Sequence, residues 1–294
     1  MSGKNFFINR YKKLGWTYKD VKLKRAIRIN TFNAPRDVVV KRLKSLGIVL
    51  KKIPFLEDGY WIIKSNFSIG ATAEYLLGYY SIQEAAAQIP STLFTKLKDK
   101  NVLDVCASPG GKTVQLANIM KNSGIIVALE LKQRKMFALA NQLERTHVSN
   151  AAVYNMDAKQ ASKLNMVFDC ALVDVPCSGN PITDTEWFSK RTVEDVYRNA
   201  RRQRQILAET FKVTKVDGEI VYATCSLEPE ENEMNIDWAI NTLNVTIEDI
   251  NCYGEPGITN IFGKELDPSI EKCRRIWPNQ TQGFFICKLK KQSG

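Results

Sequence analysis

Beyond Asn101 the chain alternates short apolar runs with longer amphipathic stretches, and this alternation limits the fold more than any other feature. Runs at 102–106, 125–130, 151–155, 168–174, 219–224 and 284–289 read as strands. The stretches at 113–121, 132–145 and 192–216 read as the intervening helices. Such an order predicts an α/β fold with a doubly wound, mostly parallel, Rossmann-like sheet. Ligands in such sheets sit at the carboxyl ends of the strands, which is where the chemically unusual residues of this chain fall.

The amino-terminal part has a different pattern. A short extended piece at 27–31 precedes Pro35, and a helix then follows in which Val38, Val39, Leu43 and Leu46 recur at three- and four-residue steps up to Gly47. Short strands are expected at 48–53 and 60–63, and a linker rich in Ser, Gly, Thr and Tyr at 66–83. This organisation predicts a small α+β domain over 1–85 and a catalytic domain over 86–294. Residues 1–60 hold fifteen Lys or Arg against Asp20, Asp37, Glu57 and Asp58, a formal +11 that equals the net charge of all 294 residues. A charge so concentrated fits an attached module that grips a polyanion such as nucleic acid, the alternative being a solvated basic face. Arg201, Arg202 and Arg204 add a basic run on the 192–216 helix, and Trp16, Tyr18 and Phe32 are candidates to stack on unpaired bases, with core packing as the reading favoured for Phe32.

No apolar run reaches eighteen residues, and Met1 to Arg10 lacks the pattern of a secretion leader, so a soluble, cytoplasmic protein without membrane contact is expected. The seven cysteines include no Cys-x-x-Cys pair and read as reduced thiols; with a single histidine, His147, no metal site is expected. His147 itself sits where a helix should end and reads as a helix-end residue.

The first motif is Asp104-Val-Cys-Ala-Ser-Pro-Gly-Gly-Lys-Thr113, which closes one strand and opens a helix. Pro109, Gly110 and Gly111 make a tight turn at a helix amino terminus, suited to an anionic group. It is not a Walker loop, because Cys106 stands where the first glycine is required, and Gly-x-Gly-x-x-Gly is absent. Glu130 ends the second strand, from which a carboxylate can accept both hydroxyls of a ribose, and Asp157 follows the third. A fourth strand runs into Asp174-Val-Pro-Cys-Ser-Gly179 and a fifth into Ala223-Thr-Cys-Ser226, followed by Glu228, Glu230, Glu231 and Glu233. Cys177 and Cys225 thus leave two strands at their active edge, whereas Cys170 and Cys287, inside strands, read as small buried hydrophobes.

These two cysteine motifs, with the Cys106–Thr113 turn, resemble the Nop2/Sun-type (RsmB/NOP) RNA 5-methylcytosine methyltransferases, and among them the short archaeal tRNA members. The resemblance covers most of the chain, including Arg28-Ile-Asn-Thr31, the 67–80 stretch, Gln83, the helix at 203–207, and Pro278 with Gly283-Phe-Phe285. It implies a class I S-adenosylmethionine-dependent methyltransferase domain beside a small α+β RNA-binding domain. It further implies RNA as the partner, tRNA in particular, and does not require a protein partner. By the same resemblance Cys225 is the nucleophile, Cys177 assists release, and Asp174 and Lys112 support the reaction. Cys106, Ala107, Ser108, Pro109, Gly110, Gly111, Lys112, Glu130, Arg134, Asp157 and Asp174 are then the residues that hold S-adenosylmethionine. The sequence departs from the common pattern at Asn180-Pro-Ile-Thr183 and Gln280-Thr-Gln282. The alternatives are an rRNA target, a DNA-type enzyme with Cys177 as nucleophile, and a non-catalytic RNA-binding factor on a methyltransferase scaffold.

Overall fold

The computed structural model describes residues 2–293. They form two compact units, one of residues 24–158 and one in which residues up to 23 join 159 onward. Helix α1 (Lys4–Lys13) belongs to the second.

In the first unit, strands β1 (Ala26–Ile29), β2 (Val49–Lys52), β3 (Gly59–Lys64) and β4 (Tyr80–Ile82) make an antiparallel sheet in the order β2-β3-β1-β4. Helix α2 (Arg36–Ser45) follows Pro35 and turns Val39 and Leu43 into a core with Ile27, Ile29 and Tyr80. The expected linker at 66–83 instead contains a short helix, α3 (Ala73–Leu76), capped by the Thr72 hydroxyl, and the edge strand β4. Three residues are too few to show alternation, and β4 owes its place to pairing with β1. Strands β5 (Asn101–Asp104), β6 (Ile125–Leu129) and β7 (Ala151–Tyr154) are parallel in that order. Helices α4 (Gly111–Met120) and α5 (Gln133–Arg145) connect them. Val102, Leu103 and 126–129 are fully buried, as expected of parallel strands covered on both faces.

The Arg-Ile-Asn-Thr segment ties the small sheet to these helices. Arg28 donates to the Gly111 carbonyl at 2.9 Å and to Gln115, and Asn33 donates to the carbonyls of Gly78 and Thr146. Gly78 allows the close approach, because a Cβ there would lie 2.3 Å from the Arg145 carbonyl oxygen. Residue 85 therefore lies inside a compact unit.

In the second unit, β8 (Phe168–Asp174) runs parallel to β9 (Thr214–Thr224), with α6 (Trp187–Lys190) and α7 (Val193–Val213) between them in the chain. Then come α8 (Glu233–Thr242), β10 (Val245–Ile247), β11 (Glu255–Pro256), the small hairpin β12 (Asn260–Ile261) and β13 (Lys264–Glu265), β14 (Arg274–Ile276) and β15 (Phe284–Lys291). Strand β15 pairs antiparallel with β9 on the side away from β8. Thr192 and Asp195 form a reciprocal capping box that starts the 21-residue α7. Phe7 and Tyr11 of α1 pack with Trp187, Val193 and Leu227, which joins the start of the chain to its second half. Among the described residues no helix is long and apolar enough to cross a membrane.

Candidate active site

In the first unit the features converge on the ends of β5, β6 and β7. Asp104, the last residue of β5, is buried and accepts a 2.7 Å hydrogen bond from Thr113 in α4, so the two ends of the turn are fixed to each other. Between them the chain passes Cys106, Ala107, Ser108 and Pro109. Ala107 N donates to the Leu129 carbonyl, and Gly110 N to the Ala107 carbonyl. Gly110 has φ of +104°, and a Cβ there would meet Leu139 and Gln142 at 3.1–3.2 Å. The turn thus requires glycine twice over, for its backbone conformation and for its closeness to α5. Gly111 and Lys112 open α4, whose first N–H groups have no partner within the helix.

Glu130 stands immediately after β6, 7% exposed, and accepts a 2.7 Å hydrogen bond from Lys132 N. Arg134 is exposed on the first turn of α5, and Asp157 lies half-buried three residues past β7. A helix amino terminus for a carboxylate, a carboxylate at the next strand end for a ribose and another beyond the third strand fit the parts of S-adenosylmethionine.

In the second unit β8 ends at Asp174 and β9 at Thr224, so that Cys177 and Cys225 stand on neighbouring strand exits. Their sulfurs are 3.1 Å apart, a hydrogen-bonding distance. The Cys177 thiol is pushed well up, first by its hydrogen bond to Cys225, then by burial and by the charges of Cys225 and Glu231. Either sulfur can donate in this pair.

A buried polar frame holds both exits. Glu231 accepts from Ser178 N at 3.0 Å, and the hydroxyls of Ser178 and Ser226 are 3.0 Å apart. Gln203 donates to the Pro176 carbonyl, Asn180 to the Cys225 carbonyl at 2.9 Å, and Asn232 to the Ser226 carbonyl at 2.9 Å. Trp187 Nε1 donates to the Ser178 carbonyl at 2.7 Å. Burial pushes Glu231 up to about 7, against hydrogen bonds from Ser178, Ser226, Asn199 and Gln203 that lower it. Asn180, one of the departures from the family pattern, thus braces the Cys225 loop.

The acidic residues after Ser226 are not a solvated segment, for Glu228, Glu231 and Glu233 are wholly buried and Glu230 nearly so. Arg10 of α1 bonds Glu228 at 2.9 Å and Glu230 at 2.7 Å, and Arg275 pairs with Glu233. Glu228 is still pushed up to about 7, because burial outweighs Arg10. Sequence reasoning gave this frame no role, and its only signal was the run of acids itself.

The aromatic candidates exchange places. Trp16, expected to reach bases, is buried and stacked on Trp277 at 5.4 Å, whereas Phe32, expected in a core, is 48% exposed. Tyr18 is half-buried, edge-on to Phe188 and bonded to Asp20. Arg201 is exposed, but Arg204 donates to Asn235 at 2.7 Å and packs over Trp238, so it ties α7 to α8. His147 is exposed just past α5 with φ of +60°, as a helix-end residue. Among the described residues there is no disulfide and no cluster of three His, Cys, Asp or Glu side chains placed to hold a metal.

Comparison with known proteins agrees with this geometry. Residues 91–290 match the family model described as 16S rRNA methyltransferase RsmB/F. The human 28S rRNA (cytosine(4447)-C(5))-methyltransferase is 32% identical over 91% of this chain and 34% of its own length. Ribosomal RNA small subunit methyltransferase F of Shewanella piezotolerans is 30% identical over 94% of this chain and 60% of its own. The chain thus spans between about a third and three fifths of these relatives. A crystal structure of a methyltransferase homolog protein from Pyrococcus horikoshii superposes with a TM-score of 0.86 at 33% identity, covering 98% of this chain and 99% of that one. With its fold that of the class I S-adenosylmethionine-dependent methyltransferases, the chain belongs to the RsmB/F, or Nop2/Sun-type, family of RNA methyltransferases.

Proposed function

We propose that the protein methylates carbon 5 of a cytosine in RNA, with Cys225 as the nucleophile. The observation that carries this reading is the 3.1 Å pair of sulfurs on two neighbouring strand exits, and the choice of Cys225 as nucleophile follows the resemblance. Carbon 5 of cytosine is too weak a nucleophile to take a sulfonium methyl directly. The Cys225 thiolate first adds to carbon 6 and makes the ring an enamine, while the Asp174 carboxyl passes a proton to ring nitrogen 3 and so neutralises the charge that develops there. Bound S-adenosylmethionine supplies the methyl group that carbon 5 accepts. The carbon 5 proton is then lost and the Cys225–carbon 6 bond breaks, a step that Cys177 assists.

Residues 106–112 hold the methionine end of the cofactor at the start of α4, Glu130 accepts from its ribose, Arg134 lies beside it, and Asp157 takes the adenine. Asp174 and Lys112 complete the set. These assignments follow the resemblance and are supported by the fixed turn, the buried Glu130 and the cysteine pair.

The short archaeal tRNA enzymes make tRNA the expected substrate, and the cytoplasm the expected site of action. The rRNA activities named for the two relatives favour rRNA as the second reading. Methyl-labelled cofactor with wild type, Cys225→Ala and Cys177→Ala protein, on total tRNA, rRNA and duplex DNA, tests all of this. Label in RNA cytosine that disappears with Cys225→Ala, and a denaturation-resistant protein–RNA adduct that accumulates with Cys177→Ala, are the expected results. An adduct that needs Cys177 and survives Cys225→Ala would overturn the assignment, and RNA binding without transfer would favour a scaffold role.

A further inference from the structure

Residues 24–158 form a half-open cavity of about 500 Å³, whose wall holds the cations Arg28, Arg36 and Lys121, the carboxylates Glu57 and Asp58, both paired with Arg36, and the amides of Gln88, Gln115 and Asn118. None of its lining residues belongs to the cofactor turn or the strand ends beyond it. Gln115, Asn118 and Ile119 recur at helical steps on one face of α4, and Lys121 caps its carboxyl end.

Arg28 is the unusual member. It is 3% exposed, and its guanidinium donates to neutral acceptors: the side chains of Gln83, Gln115 and Asn30 and the Gly111 carbonyl. Among the described residues no carboxylate bonds it. Asp58, the charge that acts on it from a distance, is itself bonded to Arg36 at 2.7 Å. Burial pushes Arg28 down to about 9, so the cation survives at neutral pH at a cost in solvation. Its Nε and the Gln88 Oε1, both buried, have no hydrogen-bond partner. A cavity beside a buried cation without an ion pair favours an anionic ligand.

The rest of the wall defines what carries the anion. Gln115 is bonded at both ends of its amide, to the Gln88 carbonyl and to Arg28, which leaves Gln88 Oε1 as an acceptor and Asn118 Nδ2 as a donor of the kind that read a base edge, and Leu56 and Ile119 give apolar surface for a ring face. The volume lies within the range of sites for small organic ligands. The formal +11 of residues 1–60 favours a polyanion as its source.

We propose that this cavity takes one nucleotide of the substrate RNA other than the methylated cytosine, with its phosphate near Arg28 and Lys121 and its base against Gln88 and Asn118. The proposal rests on the RNA reading above and adds a second contact that fixes register. It is tested with Ile119→Trp, which fills the cavity from an exposed position, and Lys121→Gln, which removes an exposed cation.

Binding of the four nucleoside 5′-monophosphates and of inorganic phosphate is followed by ligand-observed NMR, and that of tRNA and rRNA fragments by filter retention. Cofactor affinity and melting temperature report on folding. At least one nucleotide should bind the wild type more tightly than phosphate does and be lost in Ile119→Trp. RNA affinity should fall about tenfold with Lys121→Gln, the loss expected for one charged hydrogen bond. Unchanged RNA affinity in both variants overturns the proposal, and nucleotide loss with unchanged RNA affinity reassigns the cavity to a free nucleotide. Phosphate that binds as well as any nucleotide removes the base-reading role. If Ile119→Trp does not fold, Lys121→Gln decides. Wild type that transfers no methyl, yet binds RNA through Ile119 and Lys121, would sink the methyltransferase reading alone; normal transfer with both variants at wild-type RNA affinity would sink the cavity proposal alone.

Discussion

Replacing Glu231 by Gln tests whether the buried carboxylate behind the Cys177 loop titrates near neutrality. Glu231 is fully buried and accepts from Ser178 N at 3.0 Å; burial moves its carboxyl from 4.5 up to about 7. In the unfolded chain the group ionises near 4.5, so between pH 4.5 and 7 the folded state binds more protons than the unfolded one. Its contribution to stability is therefore complete below pH 4.5 and is lost as pH rises through about 7. A displacement of that size corresponds to about 3 kcal/mol at 1.36 kcal/mol per unit. Glutamine keeps the shape and one acceptor for Ser178 N but does not titrate. Urea unfolding of both proteins from acid to neutral pH should show the wild type losing about 3 kcal/mol relative to Glu231→Gln across that window. Glu228, also raised to about 7, is present in both proteins and cancels in the difference. Stability curves that stay parallel would mean that Glu231 is ionised throughout, and the argument from burial would be wrong.

Three further outcomes follow from the geometry. Gly110→Ala puts a Cβ at φ of +104° and 3.1 Å from Leu139, which should cost about 1–3 kcal/mol and weaken cofactor binding; unchanged melting and affinity would contradict the close approach. Arg10→Met strands Glu228 and Glu230 and should cost about 3–5 kcal/mol at pH 7.5. The loss should shrink toward pH 5 as Glu228 takes up a proton, and an equal loss at both pH values would rule out the ion pair as its cause. Trp16→Ala removes a ring stacked on Trp277 and should cost about 3–5 kcal/mol with RNA affinity unchanged in the folded protein. Weaker RNA binding at unchanged stability would return Trp16 to a base-stacking role.

The parallel strands were legible because burial on both faces leaves continuous apolar runs, and β8 was placed to the residue, from Phe168 to Asp174. The cysteine exits were legible for a related reason: Pro and Ser beside a cysteine at a strand end are poor choices for packing alone. Charge pairing was not legible, because a sequence counts charges without showing which are paired. The run from Glu228 to Glu233 finds its partners Arg10 and Arg275 more than two hundred and about forty residues away in the chain. Helix α1 was hidden in the same way, since its Lys and Arg dominate the local composition while Phe7 and Tyr11 are fully buried.

The same distinction bears on RNA. Of the five arginines in residues 1–60, Arg10, Arg36 and Arg42 are held in ion pairs, Arg28 is buried and Arg25 is exposed, whereas the lysines Lys12, Lys13, Lys19, Lys22, Lys41, Lys44 and Lys51 are exposed. Arginine's planar fork suits fixed pairing, while lysine remains a hydrated point charge. The outward positive charge is therefore carried largely by lysines, which contact phosphates without reading sequence, so RNA affinity should fall steeply with salt. If the protein acts on RNA as proposed, choice of the cytosine comes from elsewhere, from the cysteine loops and the proposed nucleotide cavity beside Arg28. Raising salt should accordingly weaken binding to all RNAs alike, while Ile119→Trp should narrow the gap between the preferred RNA and the rest.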